Sequence, residues 1–189
     1  MSRGHKVFDQ FKPHYITMTV NSWLKIFLDP VIAGIVIDSL KYCQARNGLE
    51  IYAYCIMPDH IHMVCRSTRE ETLSSIVRDF KKFTSSQILK YLDQLQNKWS
   101  NEIISIISMR SSGAGGKIKR VIWKKGFCPI ELSSNNFIDQ KIDYIHFNPV
   151  KAGIVVKPEK YRYSSAISYA GGIGELEIIV DNPVWRTYR

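Results

Sequence analysis

From Leu49 to Arg66 the chain is dominated by apolar and β-prone residues, and Pro58-Asp59 is the one break in the run. Proline has no N–H to give to a sheet ladder and fixes its own φ, so a single strand cannot pass through that point. The stretch therefore reads as two strands, Leu49–Met57 and Ile61–Arg66, close enough for an antiparallel hairpin. Its centre, CIMPDHIHMV over residues 55–64, carries His60 and His62. Positions i and i+2 of a strand share a face, so both imidazoles can point at one spot. Imidazole suits manganese, iron, zinc and similar divalent ions. On a strand otherwise made of Ile56, Ile61, Met63 and Val64, two imidazoles are costly to bury without a partner. A His-x-His pair alone also fits the solvent face of a half-buried strand, so its meaning depends on what accompanies it.

The rest of the chain supplies that company. His14–Val20 (HYITMTV) is β-branched and aromatic, which predicts a further strand. Pro30–Cys43 has apolar residues at helical spacing with proline where a first turn accepts it, and Asn47-Gly48 ends the element. Thr72–Leu95 predicts a long helix whose apolar stripe includes Leu73, Ile76, Val77, Phe80, Phe83, Ile88 and Leu89. Val121–Trp123 predicts a short strand, and Asn136–Asn148 a helix with Asn135 or Asn136 as its N-cap and Pro149 as its stop. Beyond Val150, glycines and prolines predict irregular chain. This order gives an α+β fold: a small antiparallel sheet with helices packed on one face.

Length and charge narrow the function. A chain of 189 residues fits one compact domain with appended segments. Its net charge of +9 points to a polyanionic partner, nucleic acid ahead of membrane. The four cysteines, Cys43, Cys55, Cys65 and Cys128, form no CxxC pair, so neither a zinc ribbon nor a thioredoxin-type motif is suggested. The polar N-terminus carries no signal-like apolar run and no segment reaches membrane-spanning length, which predicts a cytoplasmic protein.

Two further clusters carry chemistry. In DYIHFNP (143–149), Tyr144 and Asn148 lie one helical turn apart on one face, while His146 points away from it. A phenol, an amide oxygen and two imidazoles are the parts of a metal-assisted tyrosine nucleophile. A half-buried helix tyrosine followed by a helix-ending asparagine would look the same. Between Ile103 and Ile130 there is no acidic residue, and Arg110, Lys117, Lys119, Arg120, Lys124 and Lys125 all fall there, with Trp123 and Phe127 interleaved. Cations for phosphates and aromatic faces for unstacked bases suit single-stranded nucleic acid; a solvated loop with two core aromatics is the plainer reading. Lys81 and Lys82 extend the basic set, and Arg3, Lys6 and Lys12 form a lesser basic arm. Asp59 could orient a histidine from behind, or simply make a turn.

The stretches YAYCIMPDHIHMV, RDFKKFTSSQI, VIWKKGFCPIEL and DYIHFNPVKAGIVVKPEKYRYSSA resemble the single-tyrosine HUH transposases, in particular the branch of REP-associated tyrosine transposases. The similarity runs from about His14 to Tyr169. It implies a ferredoxin-like core with the histidine pair on a central strand. It further implies that His60 and His62 hold magnesium or manganese, that Asn148 matches a third ligand position, and that Tyr144 is the nucleophile. Single-stranded or hairpin DNA would be the substrate and a homodimer the assembly, with the tyrosine helix in part of the family packing against the partner's histidines. The SSGAGG loop (111–116) looks specific to this chain. The expected division is a basic arm at 1–13, a transposase domain at 14–157 and a tail at 158–189. Two other classes stay open on the residues alone: a non-catalytic nucleic-acid-binding protein of ferredoxin-like fold, and a metal-dependent hydrolase with water as nucleophile.

Overall fold

A computed structural model describes residues 9–109 and 119–180. Four antiparallel strands form one sheet in the order β2-β3-β1-β4. They are β1 (His14–Thr19), β2 (Leu49–Met57), β3 (His60–Ser67) and β4 (Ile130–Glu131). The main helices are α1 (Pro30–Asn47), α2 (Leu73–Leu95), α3 (Lys98–Met109) and α4 (Asn135–Lys151), with a short α5 (Ala166–Tyr169). This is the α+β fold expected, in the strand order of a split βαβ repeat.

The hairpin forms as its proline predicts. Met57 pairs with His60 across the two-residue Pro58-Asp59 turn. The turn is tied down by Val20 N–H on the Asp59 carbonyl (2.9 Å) and Phe27 N–H on the Pro58 carbonyl (3.0 Å). Alternation along β3 then sorts its side chains. Ile61, Met63 and Cys65 join one buried cluster, with Ile16 and Met18 of β1, Val36 and Leu40 of α1, and Ile76 and Phe80 of α2. His60, His62 and Val64 face the other side. On β2 the register shifts between Ile51 and Ala53, so Tyr52 and Ala53 both serve the second cluster.

That second face is not left to water. α4 packs there through Ile138, Ile142 and Ile145, which join Tyr15, Tyr52, Cys55 and Val64. The helices therefore lie on both faces, α1 and α2 on one and α4 on the other, and not on one face as the element order suggests. Burying isoleucines at i, i+4 and i+7 fixes the rotation of α4 about its axis, each worth about 1.5–3 kcal/mol.

Several local expectations are corrected. The N-cap of α4 is Ser134, whose hydroxyl accepts from Phe137 N–H, not Asn135 or Asn136. Pro149 does not end α4; the helix runs on to Lys151. It stops where Gly153 adopts a left-handed φ of 69°. Gly153 N–H bonds the Val150 carbonyl and Ile154 N–H the Pro149 carbonyl, the paired bonds of a Schellman end. Val121–Trp123 is no strand but a single bridge from Trp123 to Val20, and the fourth strand is Ile130–Glu131. Helix α3 has no counterpart in the sequence reading. The chain beyond α4 lines the free edge of β2: Ile56 N–H bonds the Tyr163 carbonyl, and Ser165 N–H bonds the Tyr54 carbonyl. Such cover protects a sheet edge from pairing with other chains.

His146 faces this same packing. It is buried, lies 2.8 Å from Ser165 Oγ through Nε2 and meets Tyr169 edge-on. Burial pushes its pKa down to about 4. Unfolded histidine binds a proton below about 6.5, so the unfolded state takes up more protons than the folded one between the two values. Stability from this residue is full above pH 6.5 and falls as pH drops toward 4, by on the order of 3 kcal/mol. Thermal unfolding from pH 7 to 4 should show the loss, and His146→Asn should flatten it. An unchanged slope in the variant would refute this account.

Candidate active site

The site grows from β1, β3 and α4. His60 and His62 project from β3 on the α4 side, opposite Thr19 and Thr17 of β1. Their Nε2 atoms converge to 3.0 Å. Behind them, each Nδ1 has oxygen partners. His60 Nδ1 lies 2.5 Å from Asp59 Oδ1, and His62 Nδ1 lies 2.8 Å from Tyr15 Oη and 3.0 Å from Thr17 Oγ1. A carboxylate can only accept, so His60 Nδ1–H donates to Asp59 and Nε2 is turned toward His62. Tyr15 and Thr17 can accept in the same way from His62.

Burial, with His60 and the Lys141 cation adding to it, pushes the His62 pKa down to about 3. The ring is therefore neutral at physiological pH, the form that ligates metal. Burial likewise raises Tyr15 to about 12, which keeps its hydroxyl a neutral hydrogen-bonding group.

Two Nε2 atoms this close would suit a shared cation when both are unprotonated. Two imidazole nitrogens of this kind would suit manganese, iron, zinc and similar divalent ions. Among the described residues no cluster of three or more histidines, cysteines and carboxylates forms a ligand set. A third protein ligand would then have to be of another type.

Tyr144 and Asn148 come from the stripe of α4 beside its buried isoleucines. Phe137, Lys141, Tyr144, Asn148 and Lys151 follow one another at helical spacing. The Tyr144 ring is half-exposed, edge-on to His62 (centroids 5.6 Å) and to Tyr15 (6.2 Å). Two ammonium groups flank it, Lys151 at 5.3 Å and Lys141 at 5.8 Å from the ring centre. Asn148 Nδ2 donates to the Tyr144 carbonyl (2.7 Å), one turn back along α4. His146 points into the packing on the other side of α4, as its spacing predicts.

Asp59, Tyr15 and Thr17 act through the histidines. Losing such a partner typically weakens metal binding by about 10–100-fold. Asp59→Ala should lower manganese affinity on that scale in calorimetry while leaving the fold intact. Wild-type affinity in the variant would remove Asp59 from the account.

The basic set divides. Arg110 and Lys117 lie outside the described residues, as do Arg3, Lys6 and the SSGAGG loop. Lys81, Lys82, Lys119, Arg120, Lys124 and Lys125 line one cleft of about 500 Å³ between α2 and residues 119–127. Lys82, Lys119 and Lys125 are exposed there. Arg120 is paired with Asp93 (2.6 Å). Lys81 is turned inward onto the carbonyls of Lys124 (3.2 Å) and Gly126. Burial pulls its pKa down to about 8, so it braces the loop rather than offering a surface charge. Trp123 is not a stacking surface. It is 3% exposed, packs on Phe27 and Phe80, and gives its indole N–H to Thr84 Oγ1 (2.9 Å). Sequence reasoning missed Tyr15, Thr17, Lys141 and Lys151. The lysines had a signal: each is one turn or two from Tyr144 on α4.

The chain belongs to the IS200-like transposase family, whose model matches residues 8–106, a span that holds both histidines and ends before α4. The chain is 25% identical to the ISDra2 transposase TnpA of Deinococcus radiodurans over 140 residues, 71% of this chain and 82% of that one. It is 24% identical over 166 residues to a Haemophilus influenzae protein described as a REP-associated tyrosine transposase, covering 87% of this chain and 85% of that one. The solved structure of a REP-associated tyrosine transposase bound to a REP hairpin has the same fold, with a TM-score of 0.66 and 17% identity over 96% of this chain and 94% of that one. No helix among the described residues is long and apolar enough to cross a membrane.

Proposed function

We propose that this chain nicks single-stranded DNA beside a hairpin and transfers the cut strand through a covalent tyrosine intermediate. The observation that carries the reading is the meeting, within one chain, of the Tyr144 ring with a histidine pair whose Nε2 atoms converge. His60, His62 and Asn148 Oδ1 would hold a divalent ion, magnesium or manganese. Such an ion polarises a phosphoryl group and offsets the charge that grows on its oxygens.

The protein's own groups do the rest. Tyr144 Oη attacks phosphorus, the Oη–P bond forms and the P–O3′ bond breaks, leaving a 5′-phosphotyrosine and a free 3′-OH. The phenolic proton departs to solvent and the leaving O3′ gains one. Lys141 and Lys151 beside the ring place two positive charges where the phosphate would approach. Because one phosphoester replaces another, the 3′-OH of a second strand can reverse the step without ATP. Attack is in cis, since α4 reaches the histidines of its own chain. A homodimer would then bring two DNA ends together rather than complete a site. Lys82, Lys119, Lys124 and Lys125 would hold the DNA backbone. The hairpin substrate is suggested by the solved relative, which is bound to one.

The test is a denaturing gel. Labelled hairpin oligonucleotides drawn from DNA bordering the gene are mixed with protein and magnesium or manganese. Label that migrates with the protein, and is lost on chelation, supports the reading. Tight binding with no adduct in either metal would make the chain a binding module instead, and a free 5′-phosphate product would make it a water-using hydrolase.

A further inference from the structure

Trp23 stands out from every other aromatic residue near the site. It is 56% exposed, yet its ring lies edge-on to His60 with centroids 6.2 Å apart. The backbone that presents it is strained: Ser22 and Trp23 take φ of 63° and 56° in succession, a left-handed conformation that non-glycine residues avoid. Outliers of this kind cluster where a ligand is held. Burial does not repay this one, because more than half of the side chain is exposed.

The loop is nonetheless held firmly. Asn21 N–H bonds the Ile122 carbonyl (2.7 Å), and Lys124 N–H bonds the Thr19 carbonyl (2.8 Å). These bonds bring Lys124 Nζ to 3.7 Å from the centre of the Trp23 ring. Lys124 also lines the basic cleft beside α2. Trp23 therefore stands where that cleft meets the histidine pair. A strand crossing from the cleft to the histidines passes over an exposed indole with an ammonium against it. Cations for phosphates beside an aromatic face for a base are the elements of a single-strand binding track.

We infer that Trp23, backed by Lys124, stacks an unpaired base of the DNA flank next to the phosphate that Tyr144 attacks. This rests on the function proposed above. It makes Trp23 a positioning residue: the stacked base fixes the strand, and Lys124 holds the adjoining phosphate. The aromatic platform that the sequence suggests at Trp123 is thus supplied by Trp23, against Lys124.

The experiment measures binding by fluorescence anisotropy, with all variants built on Tyr144→Phe so that no DNA is cut. The probes are a hairpin with a short single-stranded flank and a set in which each flank nucleotide is made abasic in turn. Trp23→Ala should weaken binding to the intact flank by about tenfold, on the scale of one stacked base. Trp23→Phe should restore most of it, and both variants should melt as the parent does. One abasic position should cost the parent the same factor and cost Trp23→Ala nothing more, the signature of two partners in one contact. Parent-like affinity in Trp23→Ala, or equal further losses at every abasic position, would overturn the inference. Its failure is separable from that of the nicking reading. Adduct formation with Tyr144 intact reports on nicking alone, whereas the abasic comparison reports on stacking with no cleavage at all.

Discussion

Tyr144→Phe is expected to abolish the protein–DNA adduct, by at least about a thousandfold, while leaving DNA affinity within a small factor of wild type. The substitution removes one oxygen and keeps the ring. The edge-on contacts to Tyr15 and His62 need only the ring, and the side chain is half-exposed, so the fold is barely touched. Two other phenols on the α4 side of the sheet are otherwise engaged. Tyr15 Oη is buried and bonded to His62, with a pKa pushed up to about 12. Tyr161 Oη donates to the Ile56 carbonyl (2.7 Å), and burial raises its pKa further. Neither offers a phenolate at neutral pH. A gel assay of adduct yield with purified variants checks this, and an adduct surviving in Tyr144→Phe would show that Tyr144 is not the nucleophile.

His62→Ala is expected to erase the stabilisation that a divalent ion gives the folded chain. A ligand that binds only the folded state at a hundred times its Kd adds about 2.7 kcal/mol. For a domain of this size that raises Tm by roughly 5–10 °C. The wild type should show such a rise with manganese, Tyr144→Phe should keep it, and His62→Ala should lose it together with adduct formation. The variant takes the imidazole partner from Tyr15 and Thr17, which keep only their bond to each other (3.2 Å), and this costs about 1–3 kcal/mol in the metal-free protein. The informative quantity is thus the metal-induced difference within each variant. Scanning calorimetry with and without manganese provides it, and an undiminished rise in His62→Ala would place the metal elsewhere.

The centre of this site was legible because its geometry is local. A strand period of two puts His60 and His62 on one face, a proline turn fixes the hairpin, and a helical turn aligns Tyr144 with Asn148. What escaped the sequence depends on tertiary packing. Trp123 and Trp23 both sit beside basic residues, and only the bridge from Val20 to Trp123 decides that one is core and the other exposed. Lys81 and Lys82 are neighbours on α2, yet one braces a loop and the other meets solvent. β4 is two residues long, too short for any periodicity to appear. Pro149 suggests a stop, but proline removes only one N–H, and Gly153 supplies the left-handed turn that ends α4. Tyr15 and Thr17 take their role from pairing with β3, which no pattern within β1 reveals.

The central claim is that Tyr144 becomes covalently joined to DNA, and peptide mapping of the adduct tests it most directly. Tryptic cleavage after Lys141 and Lys151 yields the peptide Ile142–Lys151, which contains Tyr144 as its sole tyrosine. After reaction with a hairpin oligonucleotide and manganese, followed by nuclease and trypsin, that peptide should carry a 5′-linked nucleotide on Tyr144, and should lack it when chelator is present. Nucleotide mass on a peptide bearing another tyrosine, or cut DNA with no modified peptide, would contradict the account.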